Sequence, residues 1–139
     1  MPLVLRAILL TVPRFILILA MVLGLNRFDP SPLPEWTVAV LAYVLHFVIT
    51  FVFGLWTMRG RIPTAKQIGL VTVITLVFGV VWEMGLYIWM TSASLTDIFT
   101  QFNAKSLVLL VMYALATILA GLYTQKKNRQ AQMPEGLSA

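Results

Sequence analysis

Four stretches of this chain, at about 3–25, 37–58, 68–90 and 105–124, are each long and apolar enough to cross a bilayer. A spanning helix needs about 20 such residues, because the hydrocarbon layer is about 30 Å thick and a helix rises 1.5 Å per residue. In lipid every backbone N–H and C=O must be paired within the protein, so stretches of this kind are helices. The segments between them differ in character. Residues 26–36, NRFDPSPLPEW, hold three prolines and cannot stay helical. Residues 59–67, RGRIPTAKQ, are basic and contain Pro63. Residues 91–105, TSASLTDIFTQFNAK, are polar, and a basic tail follows the last stretch. The expectation is one all-α integral membrane domain over 1–124, a four-helix bundle without internal repeat, with a cytoplasmic tail at 125–139.

Composition points the same way. The 139 residues are 60% hydrophobic and 11% charged, with a mean hydropathy of +0.91. A soluble domain carries about 25% charged residues, and one small core cannot bury such an apolar excess. The chain has no cysteine, which excludes disulfides, thiol catalysis and thiolate metal sites. A lone His46 excludes a multi-histidine metal centre within one chain, so neither a metal nor another cofactor is expected. Net charge is +5, but the basic residues gather at segment ends. That distribution fits the lipid bilayer as partner and not nucleic acid, which needs an exposed basic face.

Lysine and arginine placement orients the spans. Arg6, Arg14, Arg59, Arg61, Lys66, Lys126, Lys127 and Arg129 fall on one side, and Arg27 and Lys105 on the other. By the positive-inside rule both termini are cytoplasmic, as in a multi-pass protein of a bacterial inner membrane. Trp36, Trp56, Trp89 and Tyr123 stand near span ends, where amphipathic rings anchor at the interface. The first span is longer than a signal-peptide core and lacks a small-residue cleavage site, so it is expected to stay as an anchor. On the outer side, Leu95, Ile98, Phe99 and Phe102 follow helical spacing with Ser94 as N-cap. This predicts a short interfacial helix over 95–103.

Three ionisable residues lie at membrane depth: Arg14, His46 and Glu83, the last inside LVFGVVWEMGLYIWM (76–90). An ionised group at the bilayer centre costs at least about 2.5–3.5 kcal/mol, and such groups normally face the bundle interior beside a partner. His46 is about nine residues from the outer end of its span and Glu83 about seven, a depth difference of about 3 Å. The short 59–67 connection makes the second and third spans an expected antiparallel pair, so His46 and Glu83 are expected to meet. Arg14, beside the kink-prone Pro13, is expected within reach of Glu83.

The helix faces agree. Ala39, Ala42, Tyr43, Thr50 and Gly54 share the His46 face, and Thr72, Thr75, Gly79 and Tyr87 share that of Glu83. Tyr113, Thr117 and Gly121 form a third stripe, with Ala116 and Ala120 beside it. Small and polar residues let membrane helices approach closely, which predicts one polar seam along the bundle axis. Plainer readings stand beside the functional one. Glu83 as a packing acid paired with Arg14, Glu83 protonated and silent, and Arg14 snorkelling to the headgroups all fit the same pattern.

The order of these residues resembles the VanZ-like membrane proteins. That family carries a His in one span, a Gly-rich next span ending in Glu, and an Asp on the following outer segment. Here YVLHFVITFVFGL supplies His46, FGVVWEMGLY supplies Gly79 and Glu83, and SLTDIFTQFNA supplies Asp97, with Gln101 and Asn103 nearby. The resemblance covers about residues 43–104; Leu86 or Tyr87 stands where the family often has Gln, and the later glycines are missing. It implies a cell-envelope protein of a family associated with antibiotic resistance. Asp97 alone reads equally as an acid favoured near a helix N-terminus.

Three functions stay open. One is a polar site of His46, Glu83 and Arg14, with Asp97 at its mouth, that binds or acts on a lipid headgroup or lipid-linked envelope precursor. His with Glu is a competent acid–base pair, but no Cys and no span-core Ser offers a nucleophile, so a catalytic residue is not assigned. Another is a small proton-coupled transporter using Glu83, completed as a homodimer. The last is a non-catalytic accessory subunit of a partner membrane protein.

Overall fold

The computed structural model describes residues 1–27, 34–92, 94 and 104–132; the side chains at 25–27, 35, 87, 90, 91, 104 and 105 lie outside that description. Among the described residues there are four helices: α1 (Leu3–Arg27), α2 (Glu35–Met58), α3 (Ala65–Thr91) and α4 (Ala104–Gln130). Each is long and apolar enough to cross a membrane, over Leu3–Gly24, Trp36–Met58, Ala65–Leu86 and Ser106–Gln130. The chain is an all-α, four-helix, multi-pass membrane protein. The expected interfacial helix over 95–103, with Leu95, Ile98, Phe99, Phe102, Asp97, Gln101 and Asn103, lies outside the described residues, and so does the side chain of Tyr87.

The helices extend past the apolar stretches for local reasons. α3 begins at Ala65 because Thr64 caps it: the Thr64 hydroxyl accepts from the Gln67 backbone N–H at 3.3 Å, and the Gln67 side chain accepts from the Thr64 N–H at 3.0 Å. α4 continues to Gln130, six residues into the expected tail. Its last turn carries Lys127 and Arg129, which complement the negative end of the helix dipole. α1 runs through Pro13 as one helix.

The bundle is apolar outside, and inside it combines an apolar cluster of Leu3, Ala7, Met58, Ile68 and Val71 with a run of polar and small residues. Its outer surface is leucine, valine and isoleucine, including Leu9, Val44, Val77 and Val111. Its interior holds Thr11, Arg14, His46, Thr50, Thr57, Thr72, Tyr113, Thr117 and Thr124 with Ala7, Ala116 and Ala120. Lipid tails are as apolar as leucine, so large apolar residues have little preference for the interior, whereas small residues there gain close backbone contact. A Cβ on Gly54 would come within 2.8 Å of Ala120 Cβ, which shows how tightly α2 and α4 approach. Thr57, Thr72, Thr117 and Thr124 return their hydroxyls to the carbonyl four residues back, so they enter the interior already paired. Trp36, Trp56, Trp89 and Tyr123 project from the bundle near helix ends, as anchoring rings should.

The packed pairs are α1–α2, α1–α3, α2–α4 and α3–α4. They form a ring in which α2 and α3 face each other across the diagonal. This corrects the expectation that a short connection makes α2 and α3 neighbours. Residues 59–64 cross the end of the bundle, held there by hydrogen bonds with α1, α4 and the N-terminal residue. Arg6 donates to the Arg59 carbonyl at 3.1 Å, Arg61 to the Met1 carbonyl at 2.6 Å, and Gln125 to the Pro63 carbonyl at 2.9 Å. Asn128 also donates to the Arg61 carbonyl. Gly60 takes φ +76°, a left-handed conformation open to glycine, and the Pro63 side chain of the loop is fully buried. The same contacts bring the start of α1, the α2–α3 loop and the end of α4 to one face. That face is basic, and it is the one that the sequence reading expects on the cytoplasmic side.

Candidate functional site

The interior stripe of α1, Leu3–Ala7–Thr11–Arg14–Ile18, carries Arg14 into the centre of the bundle, where it is only 3% exposed. Such a charge is tolerated only with compensation. The compensation reaches it through α4. The Arg14 guanidinium carbon lies 4.8 Å from the centroid of the Tyr113 ring, a cation–π contact. When desolvated, such a contact is worth about 2 kcal/mol. The Tyr113 hydroxyl in turn donates to the Glu83 carboxylate on α3. Among the described residues no ion pair joins Arg14 to Glu83. Arg14 thus comes within electrostatic reach of Glu83, as expected, but the alternative of a direct ion pair gives way to a row, Arg14–Tyr113–Glu83. A phenol that donates to a carboxylate gains electron density in its ring, which strengthens the ring's attraction for the guanidinium.

Gly79 makes the row possible. It lies one turn before Glu83, and a Cβ there would come within 3.0 Å of Arg14 Nη2 and 3.1 Å of Tyr113 Cε2. Its missing side chain is the space in which α1 and α4 bring their groups to the face of α3. Beside the row, Phe15 and Trp82 stack at 4.8 Å and close the α1–α3 interface.

His46 reaches the same place from α2. It is 9% exposed, and its ring centroid is 6.2 Å from that of Tyr113. Its Nδ1 is 2.8 Å from the Ala42 carbonyl. A carbonyl can only accept, so Nδ1 carries a proton, and in the neutral ring Nε2 is the acceptor. Among the described residues His46 makes no hydrogen bond to Glu83. The expected meeting of the two is replaced by a flanking arrangement with Tyr113 between them. The cause is the diagonal placement of α2 and α3.

One turn below His46, Thr50 is buried and differs from the other interior threonines. Its hydroxyl has no partner, and neither do Nε and Nη1 of Arg14 or Nε1 of Trp82. Buried polar atoms are nearly always paired, so each of these is an open hydrogen-bonding position in the interior.

Of the sequence-expected residues, Arg14, His46, Glu83, Gly79 and Tyr113 come together, and Thr50 and Thr117 line the same interior. Tyr43 is half-buried, and Ala39 is exposed near the outer end of α2. Asp97 lies outside the described residues. Thr11 belongs to the interior but is not on any of the three expected stripes, which run along the other helices; the spacing 7, 11, 14, 18 along α1 is the signal that finds it. No group of three or more metal-ligating side chains occurs among the described residues. No family model matches the chain, and neither a curated protein nor a solved structure is similar to it.

Proposed function

We propose that this protein binds the anionic polar part of an envelope lipid or lipid-linked precursor in the interior site, taken up from the outer half of the bilayer. The observation that carries this reading is Arg14: a nearly fully buried guanidinium with two nitrogens, Nε and Nη1, lacking an acceptor. Guanidinium is always charged and binds phosphate and carboxylate oxygens through parallel N–H donors. Thr50 supplies a further unpaired hydroxyl, and His46 Nε2 an acceptor. The Glu83 carboxyl is hydrogen-bonded by Tyr113, and Nε and Nη1 of Arg14 keep open donor positions for an incoming anion. The VanZ-like order of His46, Gly79, Glu83 and Asp97 supports an envelope protein of a bacterial inner membrane.

The test is lipid analysis of the protein extracted with its own membrane patch, without detergent. A phosphate-bearing lipid should be enriched over the bulk membrane with wild type, and lost with Arg14→Gln and with Thr50→Val. Thr50→Val makes no change in charge and keeps the helix packed. An unchanged lipid complement in both variants, with both inserted and folded, overturns the reading. Copurification of a protein instead would favour the accessory subunit.

A second reading rests on the flanking of Tyr113 by His46 and Glu83. Two proton-carrying side chains on either side of a phenol suit proton movement coupled to transport. It requires that Glu83→Gln abolish substrate-dependent acidification in vesicles while leaving lipid retention intact.

A further inference from the structure

The cytoplasmic face holds a second polar feature, independent of the interior site. The five acids of the chain stand at positions 29, 35, 83, 97 and 135, so none precedes Glu135 on the segments that build this face. A cleft of about 310 Å³ opens there between α1 and α2, lined by Met1, Arg6, Leu9, Leu10, Trp56 and Arg59. Arg6 spends one N–H on the Arg59 carbonyl at 3.1 Å, which draws its guanidinium across the mouth toward the end of α2. The Arg59 side chain is exposed and has no partner among the described residues. Two guanidiniums thus flank one opening.

Below them the walls change character. Leu9 and Trp56 are about half exposed on the lipid-facing surface, and Leu10 lies behind them. The Trp56 ring is steadied edge-on by Phe53, with centroids 5.3 Å apart. A pair of cations at headgroup depth above an apolar wall is the complement of one molecular shape: a phosphate with a hydrocarbon chain beneath it. A soluble anion would use the arginines and leave the wall without a role. A zwitterionic lipid carries its own cation beside the phosphate and gains less from two guanidiniums. We infer that this cleft binds one anionic phospholipid of the cytoplasmic leaflet, its phosphate held by Arg6 and Arg59 and its chain lying on Leu9, Leu10 and Trp56. Arg6 is eight residues from Arg14, about 12 Å along the helix, so the two sites are separate.

The test uses the whole chain in nanodiscs containing phosphatidylcholine and phosphatidylglycerol, with bromine on the acyl chains of one or the other. Bromine quenches a tryptophan it touches, and the difference between wild type and Trp56→Phe isolates the Trp56 signal. Brominated phosphatidylglycerol should quench Trp56 preferentially. Arg59→Gln, which removes an exposed side chain without a hydrogen-bond partner among the described residues, should lower that preference about fivefold, and Arg6→Gln with Arg59→Gln about fivefold again. Lys66→Gln with Lys127→Gln, on the same face but outside the cleft, should leave it unchanged. Equal quenching by the two lipids overturns the inference, as does a preference that survives Arg6→Gln with Arg59→Gln. An equal loss in the lysine control would show diffuse charge instead of a site. Abolition of the preference by excess glycerol phosphate would show a site for a free anion.

Discussion

Arg14 of α1 lies over the ring of Tyr113 of α4, 4.8 Å from its centroid, and through that ring it is linked to the acid of α3. Three helices are thereby tied by one aromatic side chain at the depth where charge is most costly. Tyr113 is 1% exposed, so its hydroxyl has no water to fall back on. The row explains how a chain with so few charges keeps Glu83 within an otherwise apolar stretch.

Tyr113→Phe keeps the ring under Arg14 and removes the donor to Glu83. It should cost about 1.5–3 kcal/mol, the range for hydrogen bonds to charged groups. Glu83→Gln should cost less once Tyr113 is already Phe, with a coupling of about 1–3 kcal/mol. Unfolding in mixed micelles over the four proteins of this double-mutant cycle measures the coupling. Additive losses would mean that the two side chains do not act together.

Arg14→Met removes the buried cation and leaves the Glu83 carboxylate facing neutral groups only. Breaking one side of a buried charge arrangement costs about 3–5 kcal/mol, whereas removing both sides is far milder. Arg14→Met with Glu83→Gln should therefore be more stable than Arg14→Met alone. Thermal aggregation midpoints in one detergent rank the variants, and the opposite order would deny any compensation between α1 and α3.

Three helical glycines, two interior and one exposed, should separate by what a methyl group would meet. Gly54→Ala drives Cβ to 2.8 Å from Ala120 Cβ, which has no rotamer to move, and should cost about 1–3 kcal/mol. Gly79→Ala presses on Arg14 and Tyr113 and should cost stability together with lipid retention at the interior site. Gly85→Ala meets nothing within 4 Å and should gain up to about 1 kcal/mol from helix propensity. Equal effects at the three positions would contradict the close approach of α2 to α4 and of α1 and α4 to α3.

Gln125→Ala with Asn128→Ala removes two of the side chains that hold the loop across the bundle end. Trypsin should then cut after Arg59 and Arg61 several times faster than in wild type, while the helices stay intact. An unchanged cleavage rate would mean that the loop is held by the Arg6 and Arg61 contacts alone.

The chain has no cysteine, so single introduced thiols report topology cleanly. Ser92→Cys should react with an impermeant maleimide from outside intact cells, and Lys66→Cys and Gln132→Cys only after lysis. The reverse pattern would invert the orientation drawn from the basic residues.

The number of spans, their approximate ends, the common side of the termini and the small-and-polar seam were all readable in the chain. Each depends on local quantities: a run of apolar residues long enough for the bilayer, charges that mark one face, and spacings of three and four along a helix. The depths of Arg14, His46 and Glu83 were readable for the same reason, because depth is a count of residues from a span end. Which of them touch was not, because contact depends on how the helices are arranged around the bundle axis, and no count along one helix contains that. A short loop argued that α2 and α3 are neighbours, but Arg6, Arg61, Gln125 and Asn128 pin that loop across the diagonal. Tertiary packing alone set Tyr113 of α4 between groups from the other three helices, because Gly79 leaves the room and the ring can serve a cation with its face and a carboxylate with its hydroxyl.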